Sequence, residues 1–324
     1  LDSTALPELS GPVELYGSSH ALLIGVSDYT NGWPDLPGVL TDIDEVKAAL
    51  ERHGFDTTIL RDGDADQIRS EVRSFINRYG SQPDARLLIY YAGHGHTRRT
   101  AYGGEMGYIV PSDCPRPDSD LSEFLERSVS MQTVEVWATS IESKHALFLF
   151  DSCFSGSIFA LSRAAPKSIT LKTAEPIRQF ITSGSADQEV PDKSDFRREF
   201  VRALDGEGDT NGDGYVTGSE LGEFLHNRVT NYSSGSQTPQ YGKIRHPFLD
   251  RGDFVFDLAA RTERPAPTPS PTPTPTPTPA AADLPDLGLD SILQQEQQKQ
   301  AREEELRRQE EEERRRKAAR ETAF

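Results

Sequence analysis

The sequence predicts an α/β domain: a largely parallel sheet covered by helices on both faces, followed by an extended spacer and a charged tail. Three observations carry that expectation. Short apolar runs alternate with stretches of helical period. The runs are continuous rather than alternating, so each reads as a strand buried on both faces. Beyond about residue 260 the composition changes, first to Pro and Thr, then to Glu, Arg and Gln. Roughly 257 residues remain for the folded part, enough for one substantial core.

Residues 1–18 form an irregular lead-in broken by Pro7, Gly11, Pro12 and Gly17, and residues 19–259 the domain. His20–Val26 is the first strand. After a loop with Gly32, Pro34 and Pro37, Thr41 is expected to cap a helix with Asp42, Asp44 and Glu45 in its first turn. Ile43, Val46, Ala49 and Leu50 give that helix its apolar stripe. Phe55–Leu60 is a second strand and Asp64–Tyr79 a second helix, with Ile68, Val72, Phe75 and Ile76 inward. Leu87–Tyr91 is a third strand, and Gly103–Pro111 a small hairpin. Met131–Ile141 is a helix and Ala146–Phe150 a fourth strand. Ile158–Ile177 has no clear period and reads as an exposed loop. Gln179–Ser183 is a fifth strand. Ser194–Leu204 is a helix, another follows after 205–220 and runs to about Val229, and Asp253–Phe256 is the last strand.

Residues 260–282 are a Pro/Thr-rich linker, expected to be extended and polyproline-like. Residues 283–324 hold many Glu–Arg pairs at helical spacing but no a/d seam, which suits a solvated helix better than a coiled coil. The tail is a place for an unidentified protein partner, and the chain is expected to be a monomer. The net charge of −17 argues against nucleic acid and anionic membranes as partners, and fits basic peptides. No stretch reaches the ~18 apolar residues of a membrane span. Cys114 and Cys153 are the two cysteines. Such sparse use suits a reducing, cytoplasmic setting.

Two strand ends carry the chemistry. Ala146–Phe150 runs into Asp151-Ser-Cys153, and Leu87–Tyr91 into Ala-Gly-His94-Gly95. Ligands of open α/β sheets bind beyond the carboxyl ends of strands. A cysteine nucleophile needs a base nearby to lower its pKa and a donor for the leaving amine, and histidine supplies both. Gly93 and Gly95 allow a sharp turn, and an amide there can donate to an oxyanion. Taken singly, Cys153 reads as a buried thiol and His94 as a turn residue. A zinc site on His94 and His96 lacks a third and fourth ligand.

Tyr91-Ala-Gly-His-Gly95 and Asp151-Ser-Cys-Phe-Ser-Gly156 resemble the signature motifs of the caspase-like cysteine peptidases, most of all the metacaspases and their bacterial relatives, the orthocaspases. The resemblance covers about Ser19–Phe256, including His20–Gly25 and Leu36–Asp42. It implies a caspase-like three-layer fold and cysteine endopeptidase activity. It implies a catalytic dyad of His94 and Cys153, with the Gly95 and Cys153 amides at the oxyanion. It implies that Asp42 and Asp151 line the pocket for P1, the residue before the scissile bond. Two carboxylates there favour Arg or Lys, and the segment 36–41 lacks the Arg by which true caspases select Asp. Val39 stands where many metacaspases have a second cysteine, and Ala92 where many have serine. Residues 102–113 lack the acidic cluster that binds activating calcium in several of them.

A different calcium site is readable at 209–220, an EF-hand-like loop. Asp209, Asn211 and Asp213 stand at positions 1, 3 and 5, the Tyr215 carbonyl at 7, Thr217 at 9 and Glu220 at 12. Finally, Arg163, Lys167, Lys172 and Arg178 follow the nucleophile in the segment 158–178. An enzyme cutting after basic residues could process itself there. The competing class is a non-proteolytic, calcium-responsive scaffold on the same fold.

Overall fold

A computed structural model describes residues 15–99, 103–153, 159–160, 173–185 and 195–259. The linker and the tail lie outside the described residues.

In chain order the elements begin β1 (Ser18–Gly25), α1 (Gly38–Arg52), β2 (Asp56–Arg61), α2 (Ala65–Tyr79) and β3 (Ala85–Ala92). There follow β4 (Gly95–Arg99), β5 (Glu105–Ile109), α3 (Leu121–Arg127), β6 (Val129–Ser130), α4 (Met131–Ser140), β7 (His145–Cys153) and β8 (Phe159–Ala160). The last are β9 (Ile177–Gly184), α5 (Asp195–Arg202), β10 (Tyr215–Thr217), α6 (Gly218–Tyr232), β11 (Gln240–Ile244) and β12 (Val255–Asp257). The main sheet has the order β2-β1-β3-β7-β9-β11-β8. Its first five strands are parallel, while β11 runs antiparallel to β9, and β8 to β11.

Each central strand feeds two cores, because successive side chains point to opposite faces. Leu22 and Ile24 of β1, Leu87, Ile89 and Tyr91 of β3, and Phe148 and Phe150 of β7 pack with the apolar faces of α2 and α4. Ala21 and Leu23, Leu88 and Tyr90, and Leu147 and Leu149 pack on the other side with α1, α5 and α6. The continuous apolar runs are therefore the middle layer of a three-layer α/β/α sandwich. Among the described residues, no helix is long and apolar enough to cross a membrane.

The structure moves several expected boundaries. Helix α1 starts at Gly38, with Pro37 at the N-cap and no capping side chain, rather than at Thr41. Val39 and Ile43 are both buried one turn apart, so the apolar stripe begins before the polar residues that looked like a start. Asp42 therefore lies inside the helix, 3 % exposed. The stretch 103–111, expected to be a hairpin, holds a single strand, β5, the middle one of a three-stranded sheet β4-β5-β6 in which β4 follows His94 directly. The last strand, β12, pairs with β10 instead of joining the main sheet.

Candidate active site

Ala92 and Asp151 are the last register pair between β3 and β7, so His94 lies two residues past that pair. The backbone turns at Gly93, φ +155°. A Cβ there would lie 2.6 Å from the Tyr91 hydroxyl and 2.8 Å from that of Tyr29, so space and conformation both require glycine. The two hydroxyls hold the next residue. The His94 amide donates to Tyr29 Oη at 2.7 Å, and Tyr91 Oη donates to the His94 carbonyl at 2.8 Å.

The imidazole is held by the loop between β1 and α1. His94 Nε2 donates to the Pro34 carbonyl at 2.8 Å. A carbonyl only accepts, so in the neutral ring the proton sits on Nε2 and Nδ1 carries the lone pair. The rings of Tyr29 and Trp33 flank it, with centroids 4.7 and 5.2 Å away. The loop itself is tied down. Asp62 accepts from the Ser27 and Asp28 amides at 2.7 and 3.0 Å, and Asp35 from the Tyr29 amide at 2.9 Å.

Cys153 ends β7, where its backbone pairs with Gly184 of β9 after a register shift. It too stands two residues past the Ala92–Asp151 pair. Backbone positions 94 and 153 thus leave neighbouring parallel strands at the same carboxyl edge, where such sheets bind ligands. The side chain of Cys153 lies outside the described residues. Cys114 is a free, buried thiol.

Two carboxylates lie on the α1/α5 side of this edge. Tyr90 Oη donates to Asp151 Oδ2 at 3.1 Å. Burial, and then the charge of Asp151, push the Asp42 carboxyl up to about 7, while Arg197 pulls it back. Arg197, on α5, donates from Nε to Asp42 Oδ1 at 2.8 Å, and its Nη1 reaches Glu45. Sequence reasoning missed Tyr29, Pro34, Tyr90 and Arg197. Tyr90 is hidden in an apolar run, Pro34 acts through its backbone, and Arg197 lies 155 residues from its partner Asp42.

The family model for the caspase domain matches residues 18–283. The chain belongs to the caspase-domain family. Metacaspase-1 of Eremothecium gossypii is 27 % identical over 155 residues, which cover 45 % of this chain and 33 % of the fungal one. The match thus spans about a third of that curated relative's length. Among solved structures, caspase-1 from Spodoptera frugiperda aligns with a TM-score of 0.49 at 14 % identity, over 73 % of this chain and 91 % of its own. A structural-genomics protein from Geobacter sulfurreducens aligns at 0.47 and 15 %, over 72 % and 97 %.

This caspase domain carries the 209–220 loop between α5 and α6. Gly212 and Gly214 take φ +76° and +85°. Asp209 accepts from the Gly212, Asp213 and Gly214 amides, and Asp213 from that of Tyr215. Glu220 accepts from Asn211 Nδ2 at 2.6 Å and closes a capping box with Thr217. The donors of Asp209, Asn211, Asp213, Tyr215, Thr217 and Glu220 are oxygens, the set a hard cation takes. Among the described residues, no group of three or more His, Cys, Asp or Glu is gathered to hold a metal.

Of the four basic residues considered for self-cleavage, Arg163, Lys167 and Lys172 lie outside the described residues. Arg178 is not in an exposed loop. It sits on β9, 1 % exposed. Its guanidinium donates to the carbonyls of Ala138, Ile141, Ser143, Lys144 and Ile177. A protease could reach its peptide bond only by pulling the strand out of the sheet.

Proposed function

We propose that this caspase domain is a cysteine endopeptidase of the metacaspase–orthocaspase kind that cleaves after Arg or Lys. The reading is supported above all by the β3–β7 register, which sends the backbones of His94 and Cys153 out of adjacent strands side by side. In the proposed reaction His94 Nδ1 takes the proton of the Cys153 thiol, and the thiolate attacks the scissile carbonyl. The Gly95 and Cys153 amides donate to the oxyanion of the tetrahedral intermediate. His94 then returns the proton to the leaving amine, and water hydrolyses the thioester. The Pro34 carbonyl, by holding Nε2–H, keeps the lone pair on the nitrogen that this chemistry needs. Asp42 and Asp151 receive the P1 side chain through charge-assisted hydrogen bonds.

The test uses peptide reporters with Arg, Lys or Asp before the scissile bond. Cleavage is expected after Arg and Lys and not after Asp. Cys153→Ala should lose it by a factor of at least about a thousand. A folded wild-type chain that cleaves none of them, or a Cys153→Ala variant of unchanged activity, sinks the proposal and leaves the non-proteolytic scaffold. Self-processing after Arg163, Lys167 or Lys172 belongs to the same proposal. Intact Cys153→Ala chain beside a cut wild type would support it.

The proposal includes calcium on the 209–220 loop, supported by its all-oxygen donor set and by the two turns at Gly212 and Gly214. Calcium binding to the folded state alone would raise the melting temperature. Calcium is expected to do so in the wild type and not in Glu220→Gln. An equal shift in both, or none in either, would remove calcium from the account.

A further inference from the structure

The Asp42 carboxylate already holds a guanidinium that belongs to the chain. Arg197 Nε donates to Asp42 Oδ1 at 2.8 Å, and Nη1 binds Glu45 three residues further along α1. The Arg197 side chain is 18 % exposed and that of Asp42 only 4 %, whereas Glu45 is 48 % exposed. A planar guanidinium on a buried carboxylate is the same contact that a basic P1 side chain would make. Both cannot take one carboxylate oxygen in the same geometry. Resting on the reading that Asp42 and Asp151 face P1, we propose that Arg197 determines specificity as a resident competitor, displaced from Asp42 when a basic P1 side chain enters.

The geometry allows that exchange. A buried charge left without its partner is costly, and the incoming cation replaces the outgoing one at Asp42. Arg197 keeps Glu45, which faces water, so its own charge stays paired. Asp151 is anchored by Tyr90, whose hydroxyl donates to Oδ2 at 3.1 Å. The exchange also ranks substrates. Arginine brings a fork that matches the one it displaces, while lysine brings a single ammonium. Arg197 thus makes the pocket choosier for Arg over Lys than two open carboxylates would be.

The experiment measures agmatine binding to the full chain by calorimetry, and KM for Arg and Lys reporters, at about pH 9, where carboxylates are ionised. Arg197→Gln is expected to bind agmatine roughly tenfold more tightly, one charged hydrogen bond no longer being contested. KM for the Lys reporter should fall more than KM for the Arg reporter, with kcat within about twofold. Arg197→Lys, which keeps the charge, should fall between, and it carries the test if the glutamine variant does not fold. A merely structural Arg197 would lower the melting temperature without tightening agmatine. If agmatine binds wild type and both variants equally, while Asp42→Asn loses it, the competitor idea is overturned and the pocket reading stands. If agmatine binds none of the proteins, or Asp42→Asn binds it as wild type does, the pocket reading itself fails.

Discussion

Asp42 is where sequence position and surroundings pull a residue furthest from its ordinary behaviour. Its carboxyl is pushed up to about 7 by burial and by the charge of Asp151, against the pull of Arg197. A guanidinium stays protonated through neutrality, so the titration that changes this contact is the acid's. Below about pH 7 Asp42 is largely neutral and attracts a cation weakly, and above it the carboxylate is ionised. In Arg197→Gln, where no resident guanidinium is exchanged, agmatine affinity is therefore expected to rise as pH rises through neutrality. In Asp42→Asn that rise should vanish, leaving the groups around it, Asp151, Glu45, Tyr90 and Arg197. A flat affinity in Arg197→Gln from about pH 6 to pH 9 would contradict the placement of Asp42 in the cation site. His94 was legible in the sequence only together with Cys153, each at the end of an apolar strand; taken singly it reads as a turn residue. Its support was not legible. Pro34 contributes a carbonyl, which any residue has, and Tyr29 contributes a hydroxyl from a loop far away in sequence.

At the scale of elements, the strands that bury both faces announced themselves, and the short polar ones did not. β4 reads Gly-His-Thr-Arg-Arg and β11 reads Gln-Tyr-Gly-Lys-Ile. Neither carries an apolar run, because β4 lies in the small side sheet and β11 near the edge of the main one. Residue type alone also misjudged Arg178, which looked like a loop cation. In the fold it ties the C-terminal end of α4 to the entries of β7 and β9, donating to five carbonyls. Burial holds its pKa down to about 10, so it remains charged at neutral pH. Arg178→Met fills much of the volume but removes the guanidinium donors from those carbonyls, of which that of Lys144 still accepts from the Ile177 amide at 3.0 Å. The expected loss is roughly 3 kcal/mol or more in urea unfolding. A loss below about 1 kcal/mol would mean that the carbonyls find other partners.

For the whole molecule, two buried groups shifted in opposite directions contribute opposing slopes to stability against pH. His145, at the start of β7, has Nδ1 accepting from Tyr16 Oη at 2.7 Å and Nε2 donating to the Glu175 carbonyl at 3.1 Å. Burial, with the charge of Lys144 next, lowers its pKa from 6.5 to about 3. From pH 6.5 down to about 3 the unfolded chain binds a proton there that the folded chain refuses, so stability falls on acidification. Asp42 does the reverse. Between 3.8 and about 7 the folded chain keeps a proton that the unfolded chain releases, so stability falls as pH rises. Each slope is about 1.4 kcal/mol per pH unit. Between about pH 4 and 6.5 they oppose each other, and the pair should leave the unfolding free energy nearly level. Removing one partner should uncover the other. Asp42→Asn should lose stability steadily as pH drops from about 6.5, and His145→Gln should lose it as pH climbs from about 4. Urea unfolding of the wild type and the two variants at half-unit pH steps measures the slopes. Parallel profiles for all three would mean that neither group is held in its buried, neutral form by the fold.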